Sequence, residues 1–514
     1  MFNGFIGKIA RYTDSVGVAM NRLLLLLLLG LMLGGCATVP PGEALLPVDS
    51  SLRRCMELFV QIDSAVSQAG VKDTQTAAIK GFPHLRTDRF LAAYGQGALT
   101  EAALAEWLER LRSLDAEARR IEIANLPDRD RTRLPDPVPP AQSLEQTIDD
   151  CGRRLVENDR TQPERLSLLR RRAQVPDEYH TSWRVLGLYP VTSLLVTPGI
   201  RRLHASTRAD FALPLGELPV HGRLVRYIPP AQQATPAVPE LAAHVQQAGR
   251  SALGIPEISE NLWTQLFAAH APVWEVDTVT MADRIGEPAL AHAADSRIDT
   301  RAPVVYTHRS YARFRDEVLV QLNYTVWLPE RPRTGAFDIF GGHLDGLTWR
   351  VTLDRSGQPL LYDVMHNCGC YYMVFPGPQL RLRPEAHAAR EPPLVPDLAP
   401  LVPAGQHMVI RLEHRTHFVQ RIYPAADRPG EVYAFQDYNR LRSLPLPDGT
   451  HRSLFGEDGI VAGTQRRERW LIWPMGVPGP GAMRQHGHHA IAFVGRRHFD
   501  DAGLLDRLFS LEQP

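Results

Sequence analysis

The sequence predicts an α+β protein, with an N-terminal helical domain, a mixed region and a C-terminal antiparallel β-rich domain. Residues 51–180 repeat leucine and other apolar side chains at helical spacing. From Val318 onward, period-two alternation is the clearest pattern. The chain's 42 prolines demand turns and irregular connections between these elements. A length of 514 residues is enough for two or three substantial cores. The expected divisions are 1–36, 37–50, 51–180, 181–300 and 301–514.

Residues 1–36 have the pattern of a processing segment. Leu23 to Leu33 are almost purely apolar, with Arg22 before them and Gly34-Gly35-Cys36 after. The run is short for a bilayer span and has the flanks of a signal peptide. Met20-Asn21-Arg22 would open a signal of ordinary length by itself, so the true start is expected at Met1 or Met20. Leu33-Gly34-Gly35-Cys36 resembles the lipobox of bacterial lipoproteins. That resemblance implies cleavage before Cys36 and acylation there, palmitate included, with 37–50 as a tether. It also implies a lipoprotein of the outer membrane facing the periplasm. Ala37 replaces the Asp that retains such proteins in the inner membrane, the second choice. Several acyl chains anchor firmly where one is marginal. The membrane is thus an expected partner, and an envelope protein a second.

Charge argues against a nucleic-acid role. Lys+Arg and Asp+Glu both number 57, so no global field attracts a polyanion. Gly-x-Ser-x-Gly, Ser-x-x-Lys, Walker and His-Glu-x-x-His patterns are absent.

Within 51–180, Ser51 to Gln68 puts Cys55, Leu58, Phe59, Ile62 and Val66 on one helical face. Thr100 caps a helix to Ile123 carrying Leu104, Leu108, Leu111 and Leu114. Ser143-Leu144-Glu145-Gln146 is a capping box opening a helix to Asn158, and Pro135 to Pro140 is a linker before it. Five cysteines less Cys36 leave four, an even number suited to an oxidising compartment. Cys55 and Cys151 fall on the core faces of two helices, so a Cys55–Cys151 disulfide is expected.

In the mixed region, Val185 to Ile200 is apolar, broken by Pro190 and Pro198, and bounded by Arg184 and Arg201-Arg202. Too short to cross a membrane, it is expected to form a buried strand–turn–helix, with a segment resting on the bilayer as the alternative.

The β-rich domain opens with its clearest strand, Val318 to Leu328, expected to end at Pro329. Trp349–Leu353 and Leu360–Val364 then predict a hairpin turning at Asp354-Arg355-Ser356-Gly357. His407–Val419, Glu431–Phe435, Trp470–Trp473 and Ala490–Val494 are further strand candidates.

The stretch Gly341–Pro376 around the hairpin concentrates chemistry. His343 and Asp345 precede its first strand, and His366, Cys368 and Cys370 follow its second. Hairpin ends are adjacent and residues two apart share a face, so the five are candidate metal ligands. Imidazole, carboxylate and thiolate together suit zinc, with copper less favoured. A site using part of the set leaves a position open for water, hence the expectation of metal binding or metal-dependent hydrolysis. Asp363 is a candidate to orient a ligand. Cys368 and Cys370 could equally form a local disulfide or redox pair, or remain structural thiols. Gly342-His343-Leu344-Asp345 resembles the first ligand motif of co-catalytic zinc aminopeptidases over four residues, but the Glu-Glu pair of that family does not follow.

His486, His488 and His489 make a second histidine cluster, followed by His498 and Asp500, while His414 and His417 lie close together on a candidate strand. The alternative to an enzyme is a non-enzymatic envelope assembly or interaction protein held by structural disulfides.

Overall fold

The computed structural model describes residues 49–512 except 135–141, 232–236, 293 and 427. The signal, the lipobox with Cys36, most of the tether and the Pro135–Pro140 linker lie outside the described residues. The fold is α+β, with helices in the N-terminal half and sheets mostly in the C-terminal half. From Arg54 onward the chain forms one compact unit.

Two capped helices organise the N-terminal half. Thr100 accepts a hydrogen bond from the Ala103 amide to start Glu101–Asn125, and the Ser143/Gln146 capping box starts Leu144–Thr161. Trp107, Leu108 and Leu111 face a core shared with Phe82, Leu85 and Leu169. Cys55, on the helix Ser50–Ala69, is disulfide-bonded to Cys151.

Two larger sheets organise the C-terminal half, joined by loop and turn residues such as Leu441, Phe455, Met483 and Phe499 in further buried clusters. The six-stranded sheet runs in the order 373–376, 359–366, 342–353, 317–331, 304–314, 434–437, antiparallel except for its last pair. The five-stranded sheet runs 419–426, 406–412, 273–278, 223–228, 431–432. Trp274, Val276 and Ile410 of the second share one apolar cluster with Leu322, Trp349 and Val351 of the first. Trp349 also stacks on Tyr362 across the hairpin, ring centroids 5.2 Å apart.

Five expectations need correction. His407–Val419 is a strand only as far as Leu412 and turns before Val419, and Ala490–Val494 is irregular apart from one isolated bridge, Ala490↔His498. The strand begun at Val318 runs through Pro329 to Arg331, because the ladder to the next strand resumes at Glu330↔His343 beyond the residue that lacks an amide hydrogen. Val185–Ile200 is helical and largely exposed, within Thr181–Leu186 and Tyr189–Ala212. Trp470–Trp473 lies in a helical turn, Arg469–Ile472, running into a 3₁₀ turn, Trp473–Met475. β-propensity there yields to context, since a strand requires a neighbour to complete its ladder.

Candidate functional site

The hairpin forms between Gly342–Leu353 and Pro359–His366, with Asp363 opposite Arg350 and His366 opposite Leu347. Leu344, between His343 and Asp345, has φ +50°. That left-handed residue breaks the period-two alternation, and the two side chains part. The exposed His343 ring bonds through Nε2 to the Ser296 carbonyl at 2.8 Å and to its hydroxyl at 3.2 Å. Asp345 turns inward instead. Asp363 forms a bidentate buried ion pair with Arg350 and accepts from the Tyr372 hydroxyl at 3.1 Å.

Asp345 is the middle of a buried chain of acids and imidazoles. Its Oδ1 lies 3.3 Å from His366 Nδ1 and accepts from the Gly346 amide at 2.9 Å. Its Oδ2 accepts from His417 Nδ1 at 2.8 Å. The far side of the His417 ring, Nε2, faces Asp283 Oδ1 at 3.4 Å. Asp283 is fixed by the amides of Val279, Thr280 and Arg415. Burial opposes charge on His417, but its bonds to Asp283 and Asp345 outweigh burial and raise its pKa. Burial likewise works against the Asp345 carboxylate, yet His366 and His417 hold its pKa well below the ordinary value. His366 is lowered by burial despite Asp345, so burial favours its neutral form. Its Nε2 is buried without a hydrogen-bond partner, and its ring meets Tyr371 and Phe418 edge-on, with centroids 5.0 and 5.7 Å away.

The backbone here is unusually strained. Six described non-glycine residues have positive φ, and Leu344, Tyr371, Arg415 and His417 are four of them. Such conformations cost on the order of 1–3 kcal/mol each and persist where the surroundings over-determine them. Gly346 shows how tight the packing is. A Cβ there would lie 2.3 Å from the Asn367 amide nitrogen and 2.5 Å from the Val326 carbonyl.

Cys368 and Cys370 are reduced and buried, in a cluster with Trp327, Leu344 and Phe455. The Cys370 amide donates to Cys368 Sγ at 3.4 Å. The neighbouring Cys368 sulfur and burial push the Cys370 thiol well above its ordinary pKa, the opposite of an activated thiolate.

A different set of side chains converges as metal ligands do. His221, Asp277 and His414 offer ligand atoms that all lie within 4.8 Å of one another. Asp277 is the penultimate residue of the strand Val273–Thr278 and is fully buried, its oxygens fixed by the amides of His221 at 2.7 Å and Gly222 at 2.8 Å. Its Oδ2 lies 3.3 Å from His221 Nδ1 and 3.9 Å from His414 Nδ1. The imidazole centroids are 4.2 Å apart. His414 Nδ1 is buried and has no hydrogen-bond partner. His414 and His417 stand in one turn, closed by the bond from the Glu413 amide to the Phe418 carbonyl at 2.9 Å. The ionic clamp on His417 therefore also fixes the backbone that carries His414. His221 and Asp277 belong to no sequence motif; the pairing of Leu224 with Asp277 brings them together.

The second histidine cluster disperses into three environments. His488 bonds Glu178 at 2.9 Å and the Thr74 carbonyl at 2.8 Å, and His489 donates to the Asn367 carbonyl at 3.2 Å. His486 instead lines a cavity of about 790 Å³ with His308, Arg89, Tyr311 and Asp500. The His308 and His486 rings are 4.3 Å apart. Burial lowers His308 to about 4 and raises Asp500 to about 6, reversing the usual order of acid and imidazole.

No protein-family model, curated protein or solved structure matches this chain significantly.

Proposed function

We propose that this chain is a lipoprotein of the bacterial envelope, anchored through Cys36 in the outer membrane and facing the periplasm, that works as a metal-dependent hydrolase at His221, Asp277 and His414. The convergence of two imidazoles and a buried carboxylate, with all ligand atoms within 4.8 Å, carries this proposal. The donor set suits zinc or another divalent transition metal. Zinc on three protein ligands keeps a position open and makes water there acidic enough to serve as a nucleophile near neutral pH. The protein's part is orientation. Two backbone amides hold Asp277, and the Asp345–His417–Asp283 clamp holds the turn of His414. His221 is half-exposed, which leaves the centre open to a substrate.

The test is metal content by mass spectrometry on protein purified from membranes without chelator, with a screen of ester and phosphate substrates on the same sample. Near-stoichiometric zinc, lost in His414→Ala but retained in His343→Ala and Cys368→Ser, is the expected result. Metal-free wild-type protein, or metal lost in Cys368→Ser and kept in His414→Ala, overturns the assignment.

A further inference from the structure

The helix Tyr189–Ala212 is turned inside out. Its buried positions are Ser193, Thr197, Ile200, His204, Thr207 and Phe211, four of the six polar. Its outer face carries Val191, 60% exposed, Leu194, 58%, and Leu195, 77%. A helix on a water-facing surface has the opposite arrangement, because each apolar side chain left outside forgoes the stabilisation of burial. The polar inward face is nonetheless satisfied: Thr197 donates to the Ser193 carbonyl, and Ser193 Oγ accepts from Arg390. The anomaly is therefore on the outside.

Neighbouring segments extend the apolar face. The helix Thr181–Leu186 exposes Val185 at 67% and Leu186 at 75%, and Leu188 follows at 66%. Thr181–Leu186 packs on the turn Trp473–Met475, where Arg184 donates to the Met475 carbonyl at 2.8 Å and a Cβ on Gly187 would fall 2.4 Å from Pro474. That turn follows Trp470 and Leu471, which are exposed at 69% and 65%. Arginines border both parts: Arg201 and Arg202 after the apolar run, Arg467 and Arg469 before Trp470, with Glu468 buried among them. Scattered apolar residues are ordinary on a surface, but a contiguous patch with tryptophan and an arginine rim marks a partner.

We propose that this face is a lipid-contact surface that seats the protein on an anionic phospholipid bilayer. Leu186, Leu188, Leu194, Leu195 and Trp470 enter the boundary between headgroups and acyl chains, and the arginines meet the headgroup phosphates. Tryptophan favours that boundary, and arginine pairs with phosphate there. Among the described residues no helix is long and apolar enough to cross a membrane, so the face lies on the bilayer. The occupant also follows from the chain upstream. Cys36 precedes Asp49 by 13 residues, a tether of at most about 45 Å, so a lipid on Cys36 would keep the body beside a bilayer. The face stands independently of the metal centre and shares with the proposed function only the envelope location.

The full-length lipidated protein would be reconstituted on vesicles of phosphatidylethanolamine and phosphatidylglycerol with acyl chains brominated near the headgroup. Tryptophan fluorescence then reports insertion. Wild-type emission should be quenched, and Trp470→Phe should remove most of that quenching. Leu194→Asp with Leu195→Asp should remain on the vesicles through the anchor but lose quenching at least twofold, with an unchanged thermal melt because both side chains are exposed. Association without quenching overturns the lipid-contact face while sparing the anchor; cross-links between copies across Leu195 would then assign it to a second copy. Failure of wild-type protein to associate with the vesicles overturns both. Quenching lost only in the variants, with zinc content unchanged, supports the face independently of the metal centre.

Discussion

Asp345 and His417, 72 residues apart in sequence, meet at 2.8 Å with both side chains sealed from solvent. The contact joins the two sheets through one ionic hydrogen bond, and Asp283 completes it on the opposite side of the imidazole. His417 is raised above its ordinary pKa, so its contribution to stability is fully present below about 6.5 and is lost as pH rises through the raised value. His417→Gln should destabilise the protein by about 3–5 kcal/mol, the cost of breaking a buried pair from one side. Urea denaturation of both proteins at pH 6 and pH 9 checks this. The gap should be wider at pH 6, and an equal gap at both would deny the charged pair.

Asp500 should behave in the opposite sense. Its pKa, raised by burial to about 6, means the folded state resists ionising it. That penalty is absent below about pH 4 and grows as pH rises through 6. Asp500→Asn should therefore stabilise the protein by roughly 2 kcal/mol at pH 7 and by almost nothing at pH 4, read from melting temperatures. A loss of stability at pH 7 would show that the ion pair with Arg89, at 3.2 Å, outweighs the burial cost.

Reduction of Cys55–Cys151 should cost roughly 2–5 kcal/mol, since the bond closes a loop with a sequence separation of 96. Thermal melts with and without reductant, beside a Cys55→Ala/Cys151→Ala variant, measure it. The buried thiols of Cys368 and Cys370 should resist alkylation in the native protein and react once it is unfolded.

Zinc at 100 times its dissociation constant should stabilise the protein by about 2.7 kcal/mol, as for any ligand of the folded state alone. His221→Ala should abolish that increment and leave the apo melt almost unmoved, because His221 is half-exposed. Calorimetric scans with zinc and with chelator distinguish the two.

Local rules were legible in the sequence. The caps at Thr100 and Ser143, the amphipathic faces carrying Cys55 and Cys151, and the 342–366 hairpin follow from hydrogen-bonding groups and periodicities within a few residues. Asp345 and His366 were also identifiable as chemistry-bearing neighbours across the hairpin. Tertiary structure decided the rest. One left-handed residue, Leu344, separated His343 from Asp345, and alternation alone has no means of foreseeing it. Tertiary packing brought the turn of His417 and the 3₁₀ turn of Asp283 to Asp345, and strand pairing brought His221 and the turn of His414 to Asp277, from segments with no shared motif. Apolar composition marked 185–200, but which face of the resulting helix met the interior depended on what the remaining chain packed beneath it.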